Sequence, residues 1–145
     1  MHSVIFQYKQ INKRYMPIIP VILYGPNKPL SIEAYVDSGA TLSVFSYEIA
    51  KELNLNLKDT RTVYLVVGDG GFIPSKLIKI PVQIGNNKFI CDVTFSERLG
   101  IGFNLIGRRG IFEHFNEVAF NEKAKEVSFR WKAKVDKYLR EEYEI

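Results

Sequence analysis

Asp37-Ser38-Gly39-Ala40 puts a carboxylate at the end of an apolar run (Ile32, Ala34, Tyr35, Val36) and follows it with a hydroxyl and a glycine. An acid in that position suits the activation of water. Asp-Ser-Gly is also an ordinary turn composition, so the tetrapeptide gains weight from two later segments, Val67-Gly68-Asp69-Gly70-Gly71-Phe72-Ile73 and Asn104-Leu105-Ile106-Gly107-Arg108. Three glycines among residues 68–71 exceed the one or two positive φ angles that a hairpin turn needs. A mobile lid that offers backbone hydrogen bonds to a ligand would use such a tip, and an ordinary flexible hairpin is the bland alternative. Phosphate cradling is disfavoured, because the segment lacks a Gly-Lys-Ser/Thr ending and a following helix.

Other chemistries find less support. His2 and His114 have no cysteine or carboxylate cluster at metal-ligand spacing, so no metal and no other cofactor is expected. Cys91, the only cysteine, falls in an apolar strand pattern, where a thiol is more often a small core residue than a nucleophile. It excludes an internal disulfide and favours a reducing compartment. The formal charge of +4 falls short of a nucleic-acid-binding signature. Lys123 to Arg140 carries seven basic residues against two acidic, with Phe129, Trp131 and Tyr138 between them, but Glu141, Glu142 and Glu144 oppose a nucleic-acid partner. Residues 16–25 are apolar but short, and Pro17 and Pro20 interrupt them, so they cannot span a bilayer as a helix. A soluble, cytoplasmic protein is expected.

The elements that must position Asp37 read as mostly β. Ile18 to Tyr24 and Leu30 to Val36 form two strands around Gly25-Pro26-Asn27-Lys28-Pro29. Ser46 caps a short helix with Glu48 in its first turn and Ile49, Ala50 and Leu53 on one face. Thr62 to Val67 and Phe72 to Ile80 flank Asp69-Gly70 as a hairpin, and Pro81 to Ile84 pairs with Lys88 to Phe95 across Gly85-Asn86-Asn87. Pro74 and Pro81 predict edge or irregular positions. A short helix is expected near Ile111 to Phe115, then a last hairpin from Glu117 to Phe120 and Glu126 to Phe129. With 145 residues the chain suits one domain, divided into an N-terminal segment (1–15), a lobe (16–129) and a charged tail (130–145) with helical spacing at Val135, Tyr138 and Leu139.

In their order and spacing, the Asp37-Ser38-Gly39-Ala40 turn, the glycine-rich segment ending in Phe72-Ile73, and Leu105-Ile106-Gly107-Arg108 resemble the retropepsin-like aspartic proteases. The resemblance covers roughly Met16 to Phe129. It implies an all-β acid-protease fold, a closed barrel lobe with one or two short helices. Asp37 is then the catalytic acid, and Ser38 a hydrogen-bonding partner across a dimer interface. Gly39 lets substrate or water approach, and Ala40 leaves room for a substrate side chain. Val67, Gly68, Asp69, Gly70, Gly71, Phe72 and Ile73 become a flap over the substrate, and Leu105, Ile106 and Gly107 support the catalytic loop. Ala40, Val67, Phe72, Ile73 and Ile106 are the expected apolar lining. Retroviral members place an acid four residues after the aspartate to pair with the arginine; here that position is Thr41, which leaves Glu113, Glu117 or solvent for Arg108.

The chemistry implied needs two acids. Hydrolysis without metal or covalent intermediate requires one group to take a proton from water and another to give one to the carbonyl oxygen. Two carboxylates about 3 Å apart repel by roughly 5 kcal/mol at an effective dielectric near 20, about four pKa units, so such a pair shares one proton. No second Asp-Ser/Thr-Gly occurs in the chain. The resemblance therefore implies a homodimeric endopeptidase acting on peptide or unfolded protein. The alternative is a catalytically idle relative serving as a peptide-binding or dimerisation module.

Overall fold

A computed structural model describes residues 1–66, 68, 70–97 and 104–133. Six strands close into a barrel: β4 (Ile18–Tyr24), β5 (Pro29–Val36), β6 (Val44–Ser46), β8 (Phe72–Ile84), β9 (Asn87–Ser96) and β10 (Asn104–Ile106). Their order is β4-β5-β10-β6-β9-β8, and antiparallel pairing of Ile22 with Gln83 and Leu23 with Val82 returns β8 to β4. The expected closed all-β lobe is therefore present. β7 (Arg61–Val66) pairs with the other half of β8, from Arg61↔Leu77 to Val66↔Phe72.

Alternation builds the core. Phe89, Cys91, Val93 and Phe95 point inward from β9 at period two, and Ile80, Val82 and Ile84 do so from β8. Val21, Leu23, Val36, Phe45 and Ile106 complete the interior. Each such side chain contributes about 1.5–3 kcal/mol when fully buried. The short helix α1 (Tyr47–Glu52) begins where its cap predicts: the Glu48 amide donates to Ser46 Oγ at 3.4 Å.

Outside the barrel, β1 (His2–Gln7), β11 (Glu117–Asn121) and β12 (Glu126–Trp131) form a three-stranded sheet in the order β1-β12-β11. The segment before Met16 is thus partly a strand of the chain's own sheet, paired from His2↔Trp131 to Gln7↔Glu126. Phe115 joins this sheet to the barrel through edge-on contacts with Phe89 (5.7 Å), Phe129 (5.0 Å) and Trp131 (5.8 Å). A ribbon of β2 (Lys9–Ile11) and β3 (Arg14–Met16), which the sequence did not signal, turns at Asn12 and Lys13, both at positive φ (48° and 68°). That conformation is the one a two-residue hairpin needs. A single 3-10 turn covers Phe112–His114.

Two expectations change. Phe72 to Ile80 and Pro81 to Ile84 are one strand, β8, and it is interior in the sheet order rather than an edge. Its prolines are tolerated because β8 changes partners along its length. Pro74 lies in register with β7 and outside the β9 register, and Pro81 lies in register with β9 and outside the β4 register. Each has one paired flank, the local equivalent of an edge. Arg130 and Trp131, read as the start of the tail, belong to β12, while Val135, Tyr138 and Leu139 lie outside the described residues. Among the described residues no helix is long and apolar enough to cross a membrane.

Candidate active site

Asp37 is the first residue past β5, and the backbone holds it on both sides. Val36 donates its N–H to the Pro17 carbonyl (2.8 Å) and Asp37 to the Ile106 carbonyl (3.0 Å). The chain then turns tightly, with the Ala40 N–H donating to the Asp37 carbonyl at 3.1 Å. Gly39 donates its amide to Asp37 Oδ1 at 2.9 Å, which orients the half-buried carboxylate. A Cβ at Gly39 would stand 3.2 Å from that oxygen, so glycine keeps the approach to the acid open. Ser38 is exposed, and its hydroxyl has no partner among the described residues.

The support behind this loop comes from β10. It lies parallel to β5 (Leu105↔Tyr35, Ile106↔Val36) and antiparallel to β6 (Leu105↔Val44), so it fills the gap the turn leaves between them. Past its end, Arg108 and Arg109 donate backbone N–H groups to the carbonyls of Ala40 (3.0 Å) and Thr41 (2.8 Å). Gly107 is locked by proximity: a Cβ there would lie 2.6 Å from the Ala40 carbonyl oxygen. Ile106 and Gly107 thus lie against the Asp37 loop, and Leu105 pairs with Tyr35 and Val44. Ile106, also expected among the apolar lining, is fully buried in the core.

Ser43 escaped the sequence reading as a functional residue. It is fully buried, and its Oγ accepts the Gly107 N–H at 2.9 Å. The available signal was a hydroxyl set among Leu42, Val44 and Phe45, where an unpaired polar group would be costly. Asn104 was missed likewise; its Oδ1 accepts from the Ser46 amide (3.0 Å) and its Nδ2 donates to the Glu33 carbonyl (2.9 Å), tying β6 to β5.

A cavity of about 340 Å³ opens beside Asp37 and Ser38, walled by Tyr8, Tyr15, Tyr35, Phe120 and Glu122. Tyr35 is on β5 beside the acid, whereas Tyr8 and Tyr15 come from the β2–β3 region and Phe120 and Glu122 from the end of β11 and the turn after it, far from Asp37 in sequence. Tyr8 donates its hydroxyl to Glu122 Oε1 at 2.8 Å; burial first, and then that carboxylate, push the phenol up to about 12. None of the described residues of the glycine-rich hairpin lines this cavity. The hairpin itself forms, closing at Val66↔Phe72. Gly70 adopts φ 86°, and a Cβ at Gly68 or Gly70 would meet nothing within 4 Å. Phe72 is 66% exposed and Ile73 half-buried, while Val67 and Asp69 lie outside the described residues.

The two carboxylates named for Arg108 have other partners. Glu113 Oε1 accepts the Gly110 amide at 2.8 Å, and Glu117 stands 3.9 Å from Arg130. Arg108 is exposed, with no ion pair to a described carboxylate, whereas Arg109 reaches Asp92 at 4.0 Å. The two histidines stack on aromatic rings, His2 on Trp131 (5.7 Å) and His114 on Phe89 (4.2 Å). Cys91 is buried, and burial raises its thiol to about 12, far from a reactive thiolate.

No family model matches the chain, and no curated protein does. Among solved structures, the chain is similar to a retropepsin-like aspartic protease from Rickettsia conorii, with a TM-score of 0.66 over 92% of this chain and 94% of that one. The two are 17% identical, so the likeness establishes the fold. The chain has the retropepsin-like fold, with Asp37 on the loop between β5 and β6 that β10 supports.

Proposed function

We propose that the chain is a homodimeric aspartic endopeptidase whose catalytic pair is Asp37 and the Asp37 of a second copy. The observation that carries this reading is the placement of Asp37: a half-buried carboxylate on a loop held by β10, oriented by the Gly39 amide, in a sequence with no second Asp-Ser/Thr-Gly. One carboxylate cannot both accept and donate the protons of hydrolysis, so a twofold partner supplies the other.

In this mechanism water sits between the two carboxylates. The ionised one takes a proton from it as the oxygen attacks the scissile carbonyl, and the protonated one gives its proton to the carbonyl oxygen. Collapse of the tetrahedral intermediate then transfers a proton to the leaving nitrogen and regenerates the shared-proton pair. Ser38, exposed and without a hydroxyl partner among the described residues, hydrogen-bonds across the twofold contact in this proposal. The substrate is an extended peptide or unfolded protein, bound by its main chain with side chains in alternating pockets. Ala40 and the hairpin residues Val67, Gly68, Asp69, Gly70, Gly71, Phe72 and Ile73 contact it in this proposal. A single buried thiol fits a reducing compartment, and the cytoplasm is the proposed location.

The test is digestion of a denatured protein by the wild type and by Asp37→Asn from about pH 3 to pH 8, with fragments identified by mass spectrometry. Asparagine keeps an oxygen to accept the Gly39 amide, so the variant retains the loop and the dimer, and loses at least about a hundredfold in cleavage rate. Equal cleavage by the two proteins overturns the assignment of Asp37. Absence of cleavage by a wild type that sedimentation shows to be a folded dimer favours the peptide-binding module.

A further inference from the structure

The largest cavity described, about 680 Å³, lies away from Asp37 at the root of the β7–β8 hairpin. Its walls come from two parts of the molecule. Thr62, Pro74, Ser75 and Lys76 belong to the hairpin strands, while Tyr47 of α1, residues 55–58 and Phe95 of β9 belong to the barrel body. The volume suits a small organic ligand.

One polar atom in it lacks a partner. Ser75 is 2% exposed, and its Oγ has no hydrogen-bond partner among the described residues, unlike the neighbouring Ser96 Oγ, which donates to the Pro74 carbonyl at 2.9 Å. A buried hydroxyl without a partner is costly, and a ligand that accepts from it removes that cost. The rest of the lining sets the ligand's character. Leu55, Leu57, Phe95 and the Tyr47 ring offer apolar surface, and Lys58 and Lys76 outnumber Glu97, leaving a net positive rim. Lys76 Nζ already donates to Thr62 Oγ1 at 2.8 Å, which holds its ammonium at the cavity.

We propose that this cavity is a binding site for a small amphipathic organic anion, an aromatic carboxylate or sulfonate, whose polar group accepts from the Ser75 hydroxyl. Such a ligand bridges the hairpin root to the barrel body and biases the hairpin toward the conformation that contacts both. The inference is independent of peptide hydrolysis, because binding is read with no substrate present.

The experiment is a titration of the isotope-labelled full chain with 8-anilinonaphthalene-1-sulfonate, followed by amide chemical shifts, beside the neutral N-phenyl-1-naphthylamine. The expected result is saturable one-to-one binding, with the largest shifts at Leu57, Ser75 and Phe95 and slowed hydrogen exchange in β7 and β8. The neutral probe binds at least about tenfold more weakly. Ser75→Ala weakens the sulfonate about threefold to tenfold, and Lys58→Ala with Lys76→Ala about tenfold, both in proteins whose spectra remain folded. Equal affinity for the two probes, shifts confined to the exposed Tyr64, Val66 and Phe72, or no saturation below about 1 mM would each overturn the proposal.

Discussion

The floor that carries Asp37 and the hairpin of β7 and β8 are both made of strands joined by turns that contain glycine, yet they are held in opposite ways. At the floor, backbone meets backbone. Gly107 fits against the Ala40 carbonyl with no room for a methyl group, Ser43 accepts the Gly107 amide, and Ile106 accepts from Asp37. At the hairpin, Tyr64, Val66 and Phe72 are 66%, 70% and 66% exposed, and added side chains at Gly68 or Gly70 would meet open space. Glycine therefore serves close approach in one region and freedom in the other. In the proposed protease, the first kind of structure aims the acid, and the second leaves an apolar surface for the substrate.

The contrast breaks most readily at Gly107. Gly107→Ala forces a methyl group into the 2.6 Å gap to the Ala40 carbonyl oxygen and is expected to cost about 3 kcal/mol, measured by urea unfolding. Ser43→Ala should cost about 1–3 kcal/mol, because it leaves the buried Gly107 amide without an acceptor. Tyr64→Thr, Val66→Thr and Phe72→Thr, which keep strand propensity, should each change stability by no more than about 0.5 kcal/mol. In the proposed protease the same three changes raise KM for peptides.

Cys91 provides a finer probe. With its thiol buried and raised to about 12, alkylation near pH 8 proceeds only through opening of the barrel. Gly107→Ala should therefore speed alkylation, by about a hundredfold if it costs the expected 3 kcal/mol and opening is global. The hairpin variants should leave the rate within about twofold. Comparable destabilisation and comparable alkylation in the two sets would dissolve the distinction between a locked floor and a free hairpin.

Much of this architecture was legible locally. The alternation in β4, β5 and β9, the hairpin between β7 and β8, and the Ser46 cap of α1 follow from side-chain periodicity and turn chemistry, which act over a few residues. The prolines of β8 misled, since an edge was expected where the strand instead exchanges one neighbour for another. The partner of β1 was not legible, because His2 pairs with Trp131 at the far end of the described chain. Neither was the cavity beside Asp37, where Tyr8, Tyr15 and Glu122 converge from segments with no common motif.

By itself the sequence determined the β class, the place of Asp37 at a strand end, and the lack of a second such motif in the chain. These depend on residue identity and on which face of each strand is apolar. The tertiary structure alone decided that β10 enters between β5 and β6, that β8 returns to β4 to close the barrel, and that Ser43 and Gly107 meet behind the acid. The physical reason is that alternation marks the face a strand must bury but not its neighbour. Neighbours are chosen by the packing of the whole barrel, and so is the support behind Asp37.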